Sequence, residues 1–312
     1  MPSTICQSRS KSNIRTMING IINVYKEEGY TSFDVVAKLR RITGIKKIGH
    51  TGTLDPDAVG VLPVCIGSAT KLCELLTDKT KEYVAGIKLG IETDTQDITG
   101  NILAQKEVNI TLEEFEKTIL GFKGRSKQIP PMYSALKVGG RKLCDMARAG
   151  IEVERKPRDI QINDIEILNL DDDSASFRVD CSKGTYIRTL CHDIGKKLGC
   201  GAVMTDLKRT RSGDFIIDNA YKLSQIEEMA KESKLEEIIT PVDSLFERYE
   251  ALYVAGEDMK RVINGNIITP DIKAEYLRVY LDDKTFAALY RYSDERKGFV
   301  PFKMFLSETD KT

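Results

Sequence analysis

Gly49-His50-Thr51-Gly52-Thr53-Leu54-Asp55-Pro56-Asp57-Ala58-Val59-Gly60 sets three glycines and a proline around a projecting carboxylate. Without a Cβ, Gly49, Gly52 and Gly60 can take a positive φ or let another backbone come close. Pro56 drives the preceding residue out of the helical region, so Asp55 projects from the loop. Asp before Pro is also an ordinary turn former. A turn and a reactive carboxylate therefore both satisfy this stretch, and the segments around it have to separate them.

On the N-terminal side, Ile18 to Tyr25 reads as a short strand, and Thr31 with Asp34 forms a capping-box start for a helix carrying Phe33, Val36 and Leu39. On the C-terminal side, Tyr83, Ala85, Ile87, Leu89 and Ile91 alternate with period two and predict one strand face. Thr111 with Glu114 caps a helix through Phe115, Ile119 and Leu120. Ile160, Ile162, Ile165 and Ile167 give a strand with an irregularity near Asp164, and Ala175, Phe177, Val179 and Cys181 give the next, across the turn Asp171-Asp172-Asp173. Ser224 with Glu227 leads a further helix, and Pro241 to Glu250 reads as a linker. Three apolar runs follow, Leu277 to Leu281, Phe286 to Tyr292 and Phe299 to Leu306. Strands and helices mix without a βαβ rhythm, which predicts an α+β fold with a mainly antiparallel mixed sheet flanked by helices and loops.

The 312 residues suffice for one large and one small domain. With 41% hydrophobic and 30% charged residues, and no apolar run of about 18 residues, no membrane role is expected. Net charge is +0, yet Gly121 to Arg211 holds 18 Lys and Arg against 12 Asp and Glu. Phosphate binding depends on that local field more than on the total. The seven Cys show no Cys-x-x-Cys pair and are odd in number, which favours reduced thiols in the cytoplasm over a zinc site or a disulfide framework. Cys191, His192 and Cys200 lack a fourth ligand at suitable spacing, so no metal is expected. Residues 1–16, with Arg9, Lys11, Arg15 and no acid, read as a basic tail outside the fold. Gly44 to Thr51 follows the phosphate-loop spacing, but His50 stands where the lysine is needed, which argues against nucleotide triphosphate hydrolysis.

The run from Gly49 to Gly60, continuing through Leu62-Pro63-Val64-Cys65-Ile66-Gly67-Ser68-Ala69-Thr70-Lys71, resembles the signature of the TruB family of tRNA pseudouridine synthases. Further family motifs resemble Lys26-Glu27-Glu28-Gly29-Tyr30-Thr31-Ser32, where Glu27 replaces a proline, and Thr93 to Gly100. Others match Gln128 to Lys137, Cys181 to Leu190, and Met204 to Gly213. The resemblance implies a pseudouridine synthase fold over 17–245, with a thumb-like insertion at about 128–158 and a small PUA-like RNA-binding β domain over 251–312. It implies isomerisation of the T-loop uridine at tRNA position 55, without cofactor or metal, by a monomer whose partner is the tRNA T-arm. Asp55 is then the catalytic carboxylate, as nucleophile at C1′ or as base at C2′. Arg188 is its ion-pair partner, and Tyr83 stacks on the uracil and assists proton removal at C5. His50, Tyr186, Leu207, Lys26, Gly52 and Thr53 are expected at the substrate, and Arg141, Lys142, Arg155, Lys183, Lys208, Arg209 and Arg211 at RNA phosphates. A guide-RNA-dependent synthase of the dyskerin kind and a non-catalytic tRNA-folding protein are the alternatives.

Overall fold

The computed structural model describes residues 18–306; the basic tail and Cys6 lie outside them. In chain order, β1 (Gly20–Lys26) leads into α1 (Ser32–Thr43), β2 (Ile48–His50), β3 (Val59–Ile66) and α2 (Cys73–Thr77). Then come β4 (Lys81–Leu89), β5 (Ile91–Thr93), β6 (Ile102–Gln105), α3 (Leu112–Leu120) and β7 (Gly124–Gln128). The short β8 (Lys137–Val138), β9 (Arg141–Lys142) and α4 (Leu143–Arg148) precede β10 (Arg158–Leu170), β11 (Ser174–Cys181), α5 (Ile187–Leu198), β12 (Ala202–Ser212) and β13 (Phe215–Ile216). The chain closes with α6 (Leu223–Lys231), β14 (Ile239–Thr240), β15 (Glu250–Val254), α7 (Gly256–Ile263), β16 (Tyr276–Leu281), β17 (Phe286–Ser293) and β18 (Gly298–Met304).

The main sheet runs β14-β1-β3-β12-β4-β11-β10-β7, with β2 added on β3 and β13 on β12. Its neighbours are antiparallel except β3 and β12, which are parallel and pair only at Val59 with Lys208 and Gly60 with Arg209. Two residue pairs thus join the halves of the sheet, and the signature loop lies directly before that join. One half is covered by α3 and α5, which pack Phe115, Ile119, Leu190 and Ile194 against Ala85, Ile87, Phe177 and Val179. The other carries α1 and α6 over Ile22, Val24, Leu62 and Val64. Each of these side chains larger than alanine contributes about 1.5–3 kcal/mol once buried.

Local signals explain the elements. Thr31 and Asp34 cap α1 reciprocally, and Gly44, at φ 71°, ends it. The expected irregularity in β10 is a register shift between Ile162 and Asp164. Several expectations need correcting. Phe33 is 69% exposed, while Val35, Val36 and Leu39 face the core of α1. Ile91 leaves β4 because Gly90 turns the chain at φ 83°. Ser224 lies inside α6, at whose start the Lys222 amide donates to the Gln225 side-chain oxygen. Pro241 to Glu250 is a packed joint, with Val242 and Phe246 buried against Leu289 and Phe305. The four-stranded sheet β15-β16-β17-β18 has its own core around Val262, Leu277, Val279 and Tyr290.

Candidate active site

The signature loop is pinned from both sides. Lys26, fully buried, donates through Nζ to the carbonyls of Glu27 (3.1 Å), Tyr30 (2.6 Å) and Pro56 (2.9 Å). Ser32, at the start of α1, accepts from the Leu54 amide at 3.0 Å, and the Thr51 amide donates to the Pro63 carbonyl at 3.1 Å. From beneath, Arg209 donates to the carbonyls of Val61 (2.6 Å), Gly52 (3.3 Å) and Thr53 (3.5 Å). Gly52 at φ 120° and Gly60 at φ 106° supply the two bends. At Gly60 a Cβ would sit 2.2 Å from the Arg209 carbonyl oxygen, so glycine is required for the β3–β12 join itself. Gly49 keeps an ordinary φ and leaves room for the Cys73 thiol instead.

Held this way, Asp55 meets Arg188, whose Nε lies 3.1 Å from Oδ2. Arg188 is positioned in turn by the Thr95 carbonyl (3.0 Å), the Tyr133 carbonyl (2.7 Å) and the Asp97 carboxylate (3.5 Å). Asp97 is fixed by the hydroxyls of Thr95 (2.8 Å) and Thr99 (2.7 Å). The Asp55 side chain keeps 44% of its surface open to the cavity, while protein crowds its other sides. That burial raises its pKa above the ordinary carboxylate value; Arg188 opposes the shift, and the negative charges of Asp97 and Asp57 add to it.

The pair stands at a cavity of about 470 Å³ whose walls include Tyr83, Tyr186, Leu207 and His50. Burial raises both phenols, and burial with Arg209 nearby lowers His50, which favours a neutral imidazole. Gln128 clamps the Tyr186 backbone through its side-chain oxygen (2.8 Å) and nitrogen (3.0 Å). Larger hollows of about 850 Å³ between α1 and α6, and about 780 Å³ on the C-terminal sheet, bring no carboxylate against a buried guanidinium. Chemistry rather than size therefore places the site.

The structure brings together Asp55, Arg188, Tyr83, Tyr186, Leu207, His50, Gly52, Thr53 and Lys183 around one cavity. Lys26 is a correction: it does not line the cavity, because carbonyl oxygens consume its ammonium protons. Arg209 is another, being 1% exposed beneath the loop and out of reach of a backbone phosphate. Lys208 is exposed, but its pairing with Val84 sets it on the sheet face opposite Tyr83. Arg211 is ion-paired to Asp180, and Arg155 donates to the Pro130 carbonyl at 3.1 Å. Arg141 and Lys142 are exposed on β9. Asp97, Thr95, Tyr133 and Gln128 carry site roles that the sequence alone did not assign, although all four fall inside the quoted motifs.

Residues 40–187 match TruB family pseudouridylate synthase (N terminal domain), and residues 188–247 match tRNA pseudouridylate synthase B C-terminal domain. A tRNA pseudouridine synthase B of Lachnoclostridium phytofermentans is 48% identical over 93% of this chain and 100% of its own length. The chain belongs to the TruB family. It is a pseudouridine synthase, an isomerase. The Bacillus velezensis tRNA pseudouridine synthase B is 41% identical over 95% of this TruB-family chain and 100% of its own. A solved Cbf5-Nop10-Gar1 complex contains a chain with TM-score 0.68 and 27% identity, covering 94% of this chain and 86% of that one. The pseudouridine synthase fold expected from the motifs is thus the fold observed, with the added C-terminal sheet.

Proposed function

We propose that this chain converts the T-loop uridine at tRNA position 55 to pseudouridine, with Asp55 acting on the ribose of a nucleotide swung out of its stack. The carrying observation is the Asp55–Arg188 contact of 3.1 Å at the mouth of a cavity walled by two tyrosines and Leu207. Isomerisation breaks the bond from C1′ to N1, turns the base and joins C1′ to C5. A single anionic group beside the sugar starts it, by attack at C1′ or by taking the C2′ proton. Arg188 keeps that group available as an anion against its burial, and an extruded base finds the Tyr83 ring in the cavity wall. Tyr83 is assigned to stacking and to removing the C5 proton, and His50, neutral at the loop edge, to contact with the RNA.

Relatives named tRNA pseudouridine synthase B at 41–48% identity over nearly the whole chain favour tRNA as substrate. The solved H/ACA RNP and Cbf5-Nop10-Gar1 complexes that share the fold are more distant, at 25–27% identity. We assign the unit beyond Glu250 as a PUA-like RNA-binding domain, the segment 128–158 as a thumb on the T-arm, and the protein to the cytoplasm as a monomer. Arg141, Lys142 and Lys183, the last in an exposed ion pair with Asp78 that phosphate can replace, are left as the phosphate contacts of the expected set.

The test is unmodified tRNA incubated with the purified chain alone, read by carbodiimide-dependent primer stops. A stop at position 55 is expected from the parent. Asp55→Asn is expected to keep T-arm affinity and give no stop. Product from that variant, or a requirement for a guide RNA in the parent, refutes the proposal.

A further inference from the structure

Among the described residues Arg209 is the largest fully buried side chain, and its guanidinium bonds to carbonyls and forms no ion pair with a carboxylate. An unpaired buried cation costs several kcal/mol. Its three carbonyl bonds satisfy only part of the guanidinium fork. The rest of the group borders the cavity, where Tyr83 also stands. Arg209 and Tyr83 are direct cross-strand partners on β12 and β4, so their side chains leave the same face of the sheet toward the cavity that both line.

We infer that Arg209 is a positioning residue, holding the Tyr83 phenol toward the cavity and supplying the countercharge for its deprotonated form. This rests on the proposed role of Tyr83 in taking the C5 proton. A phenol that accepts a proton must first lose its own, to water in the open RNA-free cavity, and the anion left behind needs a cation once bound RNA has displaced that water. Of the groups acting on Tyr83, Arg209 on β12 favours the anion; Cys181 on β11 and Asp55 on the loop oppose it, as does burial itself. Lys81 and His50 stand on the same cavity wall. An arginine that only pinned the loop would need its carbonyl contacts alone.

The experiment places 3-fluorotyrosine at position 83 and follows its ionisation by fluorine NMR in the RNA-free protein. Replacing the charge by Arg209→Met or Arg209→Gln is expected to raise the pH of Tyr83 ionisation by about one unit or more. Arg209→Lys should recover part of that shift, and turnover should fall in the neutral variants while T-arm affinity holds. An unchanged ionisation in a folded neutral variant overturns the inference. If neither neutral variant folds, the parent decides: the Arg209 Nε–H resonance should move with the same midpoint as the fluorine, and a guanidinium signal that stays still overturns it. Because the titration uses no RNA, its failure is separate from any failure to modify tRNA.

Discussion

If Asp55 acts on the sugar as proposed, it works only while it is ionised, so the groups around it set the pH range of the reaction. Its pKa lies above the ordinary value because burial outweighs Arg188. Activity should therefore fall as pH drops through that raised value, giving an acid limb above the usual carboxylate range. Arg188→Gln removes the opposing charge, so the limb should move to still higher pH and turnover should fall at least about a hundredfold. A pH profile of single-turnover rates checks both; a limb that stays put would mean that Arg188 acts on the RNA instead. Asp97→Asn should move the limb the other way, since its charge adds to the upward shift. Asp55 and Arg188 were legible from motifs. The burial of Lys26 and Arg209 was not: Lys26 in its motif reads as a substrate contact and Arg209 among basic neighbours as a phosphate contact until the carbonyls around them are known.

At the scale of elements, the site depends on backbone approaches that only glycine permits. Gly60→Ala forces a Cβ against the Arg209 carbonyl at 2.2 Å while φ stays positive, which should cost about 2–4 kcal/mol. Gly199, which ends α5 at φ 81° with open space around it, provides the control. There, alanine should cost only about 1 kcal/mol of backbone strain. Denaturant midpoints measured side by side distinguish steric closure from φ alone. Period-two alternation found β4 and β11, and cap residues found α1 and α3. The start of α6 was misplaced because Ser224 and Glu227 mimic a cap two residues late. The roles of Thr95 and Tyr133 were hidden, since their contributions to Arg188 are carbonyl oxygens, which every residue possesses.

Over the whole molecule, the C-terminal sheet is locked to the catalytic sheet by an aromatic joint. Phe246 lies 6.4 Å from the rings of Tyr249, Phe286 and Phe305. Phe246→Ala should cost about 3–5 kcal/mol and make the segment before Glu250 a site of proteolytic cleavage, visible as a released C-terminal fragment. The excess of basic residues between Gly121 and Arg211 predicts that T-arm binding weakens as salt rises, linear in log–log form; a salt-independent affinity would contradict it. By itself the sequence determined the family, the alternating strands, the caps of α1 and α3 and the pairing of Asp55 with Arg188. Those properties reside in side-chain type and short spacing. Only tertiary structure decided which cations face the cavity and which are spent on loop carbonyls, that a parallel join of two residue pairs holds the sheet together, and that the apparent linker is a core. Those outcomes depend on contacts between residues far apart in the chain, where the same lysine or arginine has opposite uses according to what surrounds it.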